Sequence, residues 1–364
     1  MARELVLVDP VIVRTNEALD AALAGLEGAV ALDTEFHSEH RYYPRLMLIQ
    51  LRDRAGRIVL IDALAPIDLG GLCALDGREI IAHAPSQDLL LLQRHAGWKP
   101  GRVLDTQTLA GFCGHGWPRS LADLVAEVLG GDVGPTYSLS DWSKRPLPEE
   151  QLRYAIADVA FLHRLCDVLV ERAGPEGVEA CQELARGALV PSDPSRAWRG
   201  IPAAEILSER GRSALQGLAA WRETTARTQD QPPFQVASNA VLVDLARRRP
   251  SSVGEMTRNR RFPRRLAKRH ADVILAICAR ARGSEVYDHP ARVRRDVVAR
   301  ALDSWAAELE LREGLAARLA LPLDLRRDVT DRLLAQEPIG LEGWRSHRVA
   351  PQLSRFVIGL KSLE

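Results

Sequence analysis

Cysteine is sparse in this 364-residue chain: Cys73, Cys113, Cys166, Cys181 and Cys278 are scattered, odd in number and never paired as C-x-x-C. That spacing argues against a disulfide framework and against a structural zinc site, and a reducing cytoplasm is the expected location. No apolar run approaches the ~20 residues of a membrane span. Acidic residues and Pro10 interrupt the apolar stretches at the N-terminus, so no signal peptide is expected. Aromatic residues make up only 5%. Lysine is far outnumbered by arginine, a bias that a high-GC genome produces. No Walker P-loop and no helicase motif occur. What is present is an apolar share of 46% and a charged share of 27%, the balance of a soluble globular protein and not of a disordered one. The length implies two or three domains.

The net charge of +1 is misleading until it is divided along the chain. Residues 1–195 hold 18 Lys and Arg against 28 Asp and Glu, a balance of −10. Residues 196–300 hold 22 against 10, a balance of +12, and residues 301–364 hold 9 against 10. An acidic N-terminal half joined to a strongly basic middle points to contact with a polyanion.

The first ~170 residues alternate strand-like and helix-like patterns. Residues 28–35, 46–51, 58–61, 79–83 and 102–105 read as strands. In the first of these, Val30, Leu32 and Thr34 point one way while Ala31, Asp33 and Glu35 point the other. Helices are expected over 15–26, 86–95 and 120–129, and from Pro148 without interruption past Leu169, with Ser86 and Ser120 as N-caps. This order indicates an α/β domain with a mixed sheet. The Pro- and Gly-rich stretch 187–203 reads as a linker. Beyond it the periodicity is helical, with a weak internal repeat between Leu215/Leu218/Trp221 and Leu302/Trp305/Leu309.

Four carboxylates stand out in the first domain. Asp33 and Glu35 share one face of a strand. Asp88 opens a helix directly after a strand. Asp158 follows Tyr154 by four residues, which places both on one flank of a helix. Each feature alone has an ordinary explanation: a strand end, a helix-favouring acid, helix packing. Together they suit two-metal phosphodiester hydrolysis, in which oxygen ligands hold two hard cations ~3.5–4 Å apart and a hydroxyl orients the attacking water.

The motifs in order are Leu32-Asp33-Thr34-Glu35-Phe36, Tyr42-Tyr43-Pro44-Arg45-Leu46, Leu48-Ile49-Gln50-Leu51, Ile61-Asp62, His83-Ala84 leading to Asp88-Leu89, and Asp105-Thr106. Asp141-Trp142 with Arg145-Pro146-Leu147 and then Gln151-Leu152-x-Tyr154-Ala155-x-x-Asp158-Val159 complete the set. This series resembles the DEDDy family of 3′–5′ exonucleases, within it the ribonuclease D type. The resemblance implies a ribonuclease H-like exonuclease domain, with Asp33, Glu35, Asp88 and Asp158 as ligands of two divalent ions, Mg²⁺ or Mn²⁺. It makes Tyr154 the tyrosine of the subclass, and Thr34, Phe36, Gln50 and His83 candidate RNA contacts. Two departures are visible. His83 stands where the family usually has Asn. Gly134-Pro135-Thr136-Tyr137 replaces an Asp-Lys-Ser-Gln-like stretch, so a lysine near the substrate backbone is missing. Both bear on substrate positioning, not on the proposed ligands.

The stretch from Trp221-Arg222-Glu223 through Asp230, Pro232 and Ser238-Asn239 to Leu242 resembles an HRDC domain, a small helical module. Its neighbourhood carries Arg258, Arg260, Arg261, Arg264, Arg265, Lys268 and Arg269 without an intervening acid, and Arg247, Arg248 and Arg249 form a second run. Such cations neutralise phosphates in a salt-sensitive, sequence-independent way. Only Phe262 interrupts the main run, so base stacking is not expected there. The expected organisation is an exonuclease domain over 1–186, a linker over 187–203, an all-α HRDC domain over 204–292 and a second, diverged HRDC-like helical domain over 293–364. The expected activity is a 3′–5′ exoribonuclease trimming structured RNA with a short 3′ single strand, such as tRNA precursors, as a monomer. A DNA exonuclease and an inactive nucleic-acid-binding protein are the alternatives.

Overall fold

The computed structural model describes residues 9–38, 40–258, 262–286 and 288–361. The chain divides into two compact units. One runs through His37 and includes Arg45–Val190 and the residues from Ala299 on; the other joins Ser38–Pro44 to Pro191–Val298.

In the first unit, β1 (Val11–Val13), β2 (Val30–His37), β3 (Arg45–Asp53), β4 (Ile58–Asp62), β5 (Glu79–Ala82) and β6 (Arg102–Asp105) form a mixed sheet in the order β1-β4-β3-β2-β5-β6. Strands β2, β3 and β4 are an antiparallel meander; β1 pairs parallel with β4, β5 with β2 and β6 with β5. Of these strands only β1 is absent from the sequence reading, because three residues are too few to show a period. The helices are α1 (Asn16–Ala24), α2 (Ser86–Ala96), α3 (Thr106–Phe112), α4 (Leu121–Leu124), α5 (Glu149–Ala160) and α6 (Leu162–Ala188).

Strand alternation builds two cores. Val30, Leu32, Ile49, Leu51, Val59 and Ile61 pack with residues of α1 and α2 on one face. On the other face, Ala31 and Ile81 meet α3 and α6, and Leu48 and Leu60 meet Ala155 and Ile156 of α5. The uninterrupted helix expected from Pro148 is instead two helices. The break falls at Phe161, whose ring is buried against Gly131. Helix α6 is itself kinked at Gly174 (φ 65°), where the following Pro175 disfavours helical geometry.

The second unit contains α7 (Glu209–Gln229), α8 (Pro233–Val236), α9 (Asn239–Arg248), α10 (Val253–Met256) and α11 (Arg264–Arg280), packed around Leu215, Leu218, Leu242, Leu245, Leu266 and Ile274. Part of the expected linker belongs to this core. Residues Pro194–Gly200 and Pro202–Ile206 form 3-10 helices, and the apolar Ile201 between them is buried. The segment Ser38–Pro44 is tied to the same unit: Arg227 Nε donates to Tyr42 Oη at 2.8 Å, and the Tyr43 backbone N–H donates to Asp230 at 3.0 Å.

Helix α12 (His289–Glu313) runs straight through the expected boundary at residue 293. From Ala299 the chain clusters with the first unit, through α13 (Ala317–Ala320), α14 (Leu323–Leu334), α15 (Trp344–Arg348) and α16 (Ala350–Lys361). The docking is specific. The Ala316 N–H donates to the Gly111 carbonyl at 2.7 Å, the Trp344 ring lies 5.0 Å from that of Phe112, and the Trp344 N–H donates to Glu183 at 3.1 Å. The segment 293–364 is therefore not a compact unit by itself. Among the described residues no helix is long and apolar enough to cross a membrane.

Candidate active site

Asp33 and Glu35 occupy the face of β2 that the helices α5 and α6 cover, as their alternation with Leu32 and Thr34 requires. Helix α5 brings Asp158 to the same place: one carboxylate oxygen each of Asp33, Glu35 and Asp158 lie within 4.8 Å of one another. Acids this close resist sharing full charge. Burial, reinforced by repulsion from Asp158 and Asp88, raises Asp33 well above the usual carboxylate range and Glu35 to about 9. Burial also pushes Asp158 up to about 7, against a lowering influence from the Tyr154 hydroxyl. Asp158 Oδ2 is buried without a hydrogen-bond partner. An oxygen-only donor set with excess negative charge and an orphaned acceptor fits hard divalent cations.

Asp88 stands beside this trio and not within it. Its helix, α2, packs on the opposite face of the sheet, the face that carries Thr34. The Thr34 hydroxyl donates to Asp88 Oδ1. Burial raises Asp88 to about 6, and that hydrogen bond opposes the rise. Thr34, expected at the RNA, is thus buried and engaged with a carboxylate. Phe36 packs against the main core. A register shift after Glu35 pairs Phe36 with Leu46 and leaves Met47 as the extra residue of a bulge. Gln50, also expected at the RNA, is fully buried, directly across from Asp33 in the β2–β3 register. His83 has both ring nitrogens occupied: Nε2 donates to the Arg119 carbonyl at 3.0 Å, and Nδ1 lies 2.9 Å from the Thr106 hydroxyl. Burial lowers its pKa, which favours the neutral ring.

Tyr154 sits one turn before Asp158, with its ring 6.1 Å from Tyr137 and 6.0 Å from the fully buried Trp142. Burial, with Asp158 nearby, raises its hydroxyl pKa far above the ordinary tyrosine value. A cleft of about 310 Å³ opens beside it, walled by Gly134, Pro135 and Tyr137 of the departing stretch and by Arg153. The loop that carries Tyr137 and Trp142 is clamped by a pair to which the sequence reading gave no role. Arg145 donates to both oxygens of buried Asp62 at 2.7 Å, to the Met47 carbonyl at the bulge at 2.8 Å, and to the Trp142 carbonyl at 2.8 Å. Both residues lie in the motif blocks named above, which was the one available signal.

In the second unit, Arg264, Arg265, Lys268 and Arg269 are exposed on the first turns of α11, and Arg258 is exposed before it. Arg260 and Arg261 lie outside the described residues. Among the described residues the four helix cations make no ion pair; Arg265 reaches only the Gln235 carbonyl, at 3.5 Å. The second run differs. Arg248 pairs with Asp244 and Arg249 with Glu285, so both are committed to local structure. Phe262 is buried.

A family model described as 3′–5′ exonuclease matches residues 10–173, and an HRDC domain model matches residues 212–278. The ribonuclease D of Gluconacetobacter diazotrophicus is 35% identical over 275 residues, which cover 71% of this chain and 68% of that protein. The ribonuclease D of Acidiphilium cryptum is 30% identical over 357 residues, 93% of this chain and 90% of that protein. The chain belongs to the ribonuclease D family. The crystal structure of Escherichia coli RNase D, described as an exoribonuclease involved in structured RNA processing, superposes with a TM-score of 0.79 at 28% identity, covering 97% of this chain and 99% of that one. The catalytic core of RRP6 from Trypanosoma brucei shares the fold, at 22% identity and a TM-score of 0.55.

Proposed function

We propose that this ribonuclease D family member, a 3′–5′ exoribonuclease, trims the 3′ ends of structured RNA such as tRNA precursors, and that Asp33, Glu35, Asp88, Asp158 and Tyr154 form its active site. The observation that carries the reading is the convergence of Asp33, Glu35 and Asp158 within 4.8 Å, with Asp88 beside them and Tyr154 one turn away. The four carboxylates would hold two divalent cations, Mg²⁺ or Mn²⁺. When bound, such ions offset the charge of the phosphodiester and make coordinated water a better nucleophile. Thr34 fixes the Asp88 carboxylate. Tyr154, whose raised pKa keeps it neutral at physiological pH, orients the attacking water by hydrogen bonding instead of removing its proton. Water adds to the terminal phosphorus, the bond to the departing 3′ oxygen breaks, and a nucleoside 5′-monophosphate leaves.

RNA is held by Arg258, Arg264, Arg265, Lys268 and Arg269. Arg264 and Arg265 occupy the first turn of α11, where the helix dipole disfavours each by ~0.3–1 kcal/mol, and Lys268 and Arg269 follow in the second. A phosphate backbone relieves that cost and releases counterions. The enzyme works as a monomer in the cytoplasm; its described cysteines are all unpaired, in keeping with a reducing compartment. Digestion of matched single-stranded RNA and DNA, beside a 3′-extended tRNA, tests the substrate: preferential shortening of the RNAs is expected, and equal digestion of DNA would overturn the assignment.

A further inference from the structure

Gln50 is the least explained polar residue near the carboxylates. It is fully buried in the middle of β3, and neither its amide nitrogen nor its amide oxygen has a hydrogen-bond partner. A buried amide with nothing to bond to is a costly feature. Its nearest neighbours toward β4 are apolar, although Arg52 and Asp62 share the same face farther along. Leu48 is two residues before it, and Leu60 is its direct partner on β4. A leucine at 50 would complete that packing without penalty. The polar group therefore calls for a functional explanation.

The register supplies one. Gln50 is the direct cross-strand partner of Asp33, so the two side chains leave the sheet on the same face and adjacent to each other. That face is covered by α5, which carries Asp158. Among the buried unpartnered atoms of this region, which include Trp142 Nε1 and Gln151 Oε1, Gln50 Nε2 and Asp158 Oδ2 are a complementary pair: an amide nitrogen donates, and a carboxylate oxygen accepts. The burial that frees Gln50 from solvent also keeps it from the RNA.

We infer that Gln50 is a positioning residue of the carboxylate cage: its amide, unpartnered in the ion-free structure, donates to a cage carboxylate when cations are bound, Asp158 foremost, and holds it in the arrangement that keeps them. Hydrogen bonds from behind a ligand fix its orientation, and their loss typically weakens metal affinity ~10–100-fold. The inference rests on the reading of Asp33, Glu35 and Asp158 as a cation site.

The test uses the full chain and Mn²⁺ alone, with binding followed by titration calorimetry and free Mn²⁺ by electron paramagnetic resonance. Gln50→Met removes the amide at similar size, and Gln50→Leu serves if the first variant misfolds. The ion-free variant is expected to melt at or above the parent's temperature, because an orphaned group has been removed, while Mn²⁺ binds roughly tenfold more weakly. Mn²⁺ affinity equal to the parent's in a folded variant overturns the inference. Asp33→Asn separates the two claims. If it loses Mn²⁺ binding and Gln50→Met does not, only the role of Gln50 falls. If Asp33→Asn binds Mn²⁺ like the parent, the cation site itself is wrong.

Discussion

At the residue scale, the carboxylates proposed to carry the reaction also strain the fold. Glu35, near 9, and Asp158, near 7, titrate well above the ~4 of unfolded carboxylates. Below about pH 4 these acids are protonated in both states and cost nothing; as the pH rises through their folded values, the folded state must accept charges it resists, and stability is lost. In a chelator, the melting temperature is expected to fall between about pH 5 and about pH 8, and Glu35→Gln should flatten the fall. Mg²⁺ should raise the melting temperature more at the upper pH than at the lower. A melting temperature that rises with pH in chelator contradicts this account. Tyr154→Phe removes the hydroxyl proposed to orient the water but keeps the ring. A kcat loss of ~10²-fold with little change in KM is expected from single-turnover and steady-state rates. Asp33 with Glu35, and Tyr154 with Asp158, were legible as pairs, because strand and helix periodicities fix which side chains share a face; only the family resemblance joined these pairs and Asp88 into one proposed set. The positions of Thr34, Gln50 and His83 were not. Whether a polar residue in a motif meets substrate or meets another side chain depends on what covers it, and alternation along one strand does not say.

At the scale of elements, two clamps hold the first unit around its site. The Arg145–Asp62 pair anchors the loop whose Trp142 backs Tyr154. Arg145→Ala leaves a buried Asp62 with the Leu64 N–H, at 3.2 Å, and the partly exposed Arg14, 3.4 Å away, and should cost roughly 3 kcal/mol in denaturant unfolding. It should also lower kcat, because Tyr154 loses its support. The second clamp docks the C-terminal helices. Gly343 has φ 56°, and a Cβ there would overlap the Glu183 carboxylate, which binds the Trp344 N–H and Arg345. Gly343→Ala is expected to destabilise the first unit by about 1–3 kcal/mol, measured by urea unfolding. The strands were readable because short branched runs alternate cleanly. The break at Phe161 was not, since α5 and α6 present one continuous apolar stripe and Phe161 itself keeps right-handed helical angles, φ −95° and ψ −13°. The docking of residues 299–364 was equally hidden: their helical period shows that an apolar face exists but not which surface receives it.

At the scale of the whole molecule, the near-zero net charge is two opposed fields. The acidic first half includes the carboxylate cluster proposed to hold cations, and the basic middle presents Arg264, Arg265, Lys268 and Arg269 without acidic partners among the described residues. Reversing those four to Glu should weaken RNA binding and reduce the salt slope of log K by ~0.7 for each phosphate no longer neutralised, read from titrations at several salt concentrations. An unchanged slope makes the patch ordinary surface. The central claim remains that the carboxylate cage hydrolyses RNA from the 3′ end. Its most direct test is release of nucleoside 5′-monophosphates from a 3′-extended tRNA by the full chain, with Mn²⁺ and with chelator, beside Asp33→Ala. Stepwise 3′ shortening by the parent with Mn²⁺ is predicted, and none in chelator or by the variant, which still folds and binds RNA. Undiminished shortening by Asp33→Ala, or by the parent in chelator, would contradict the account.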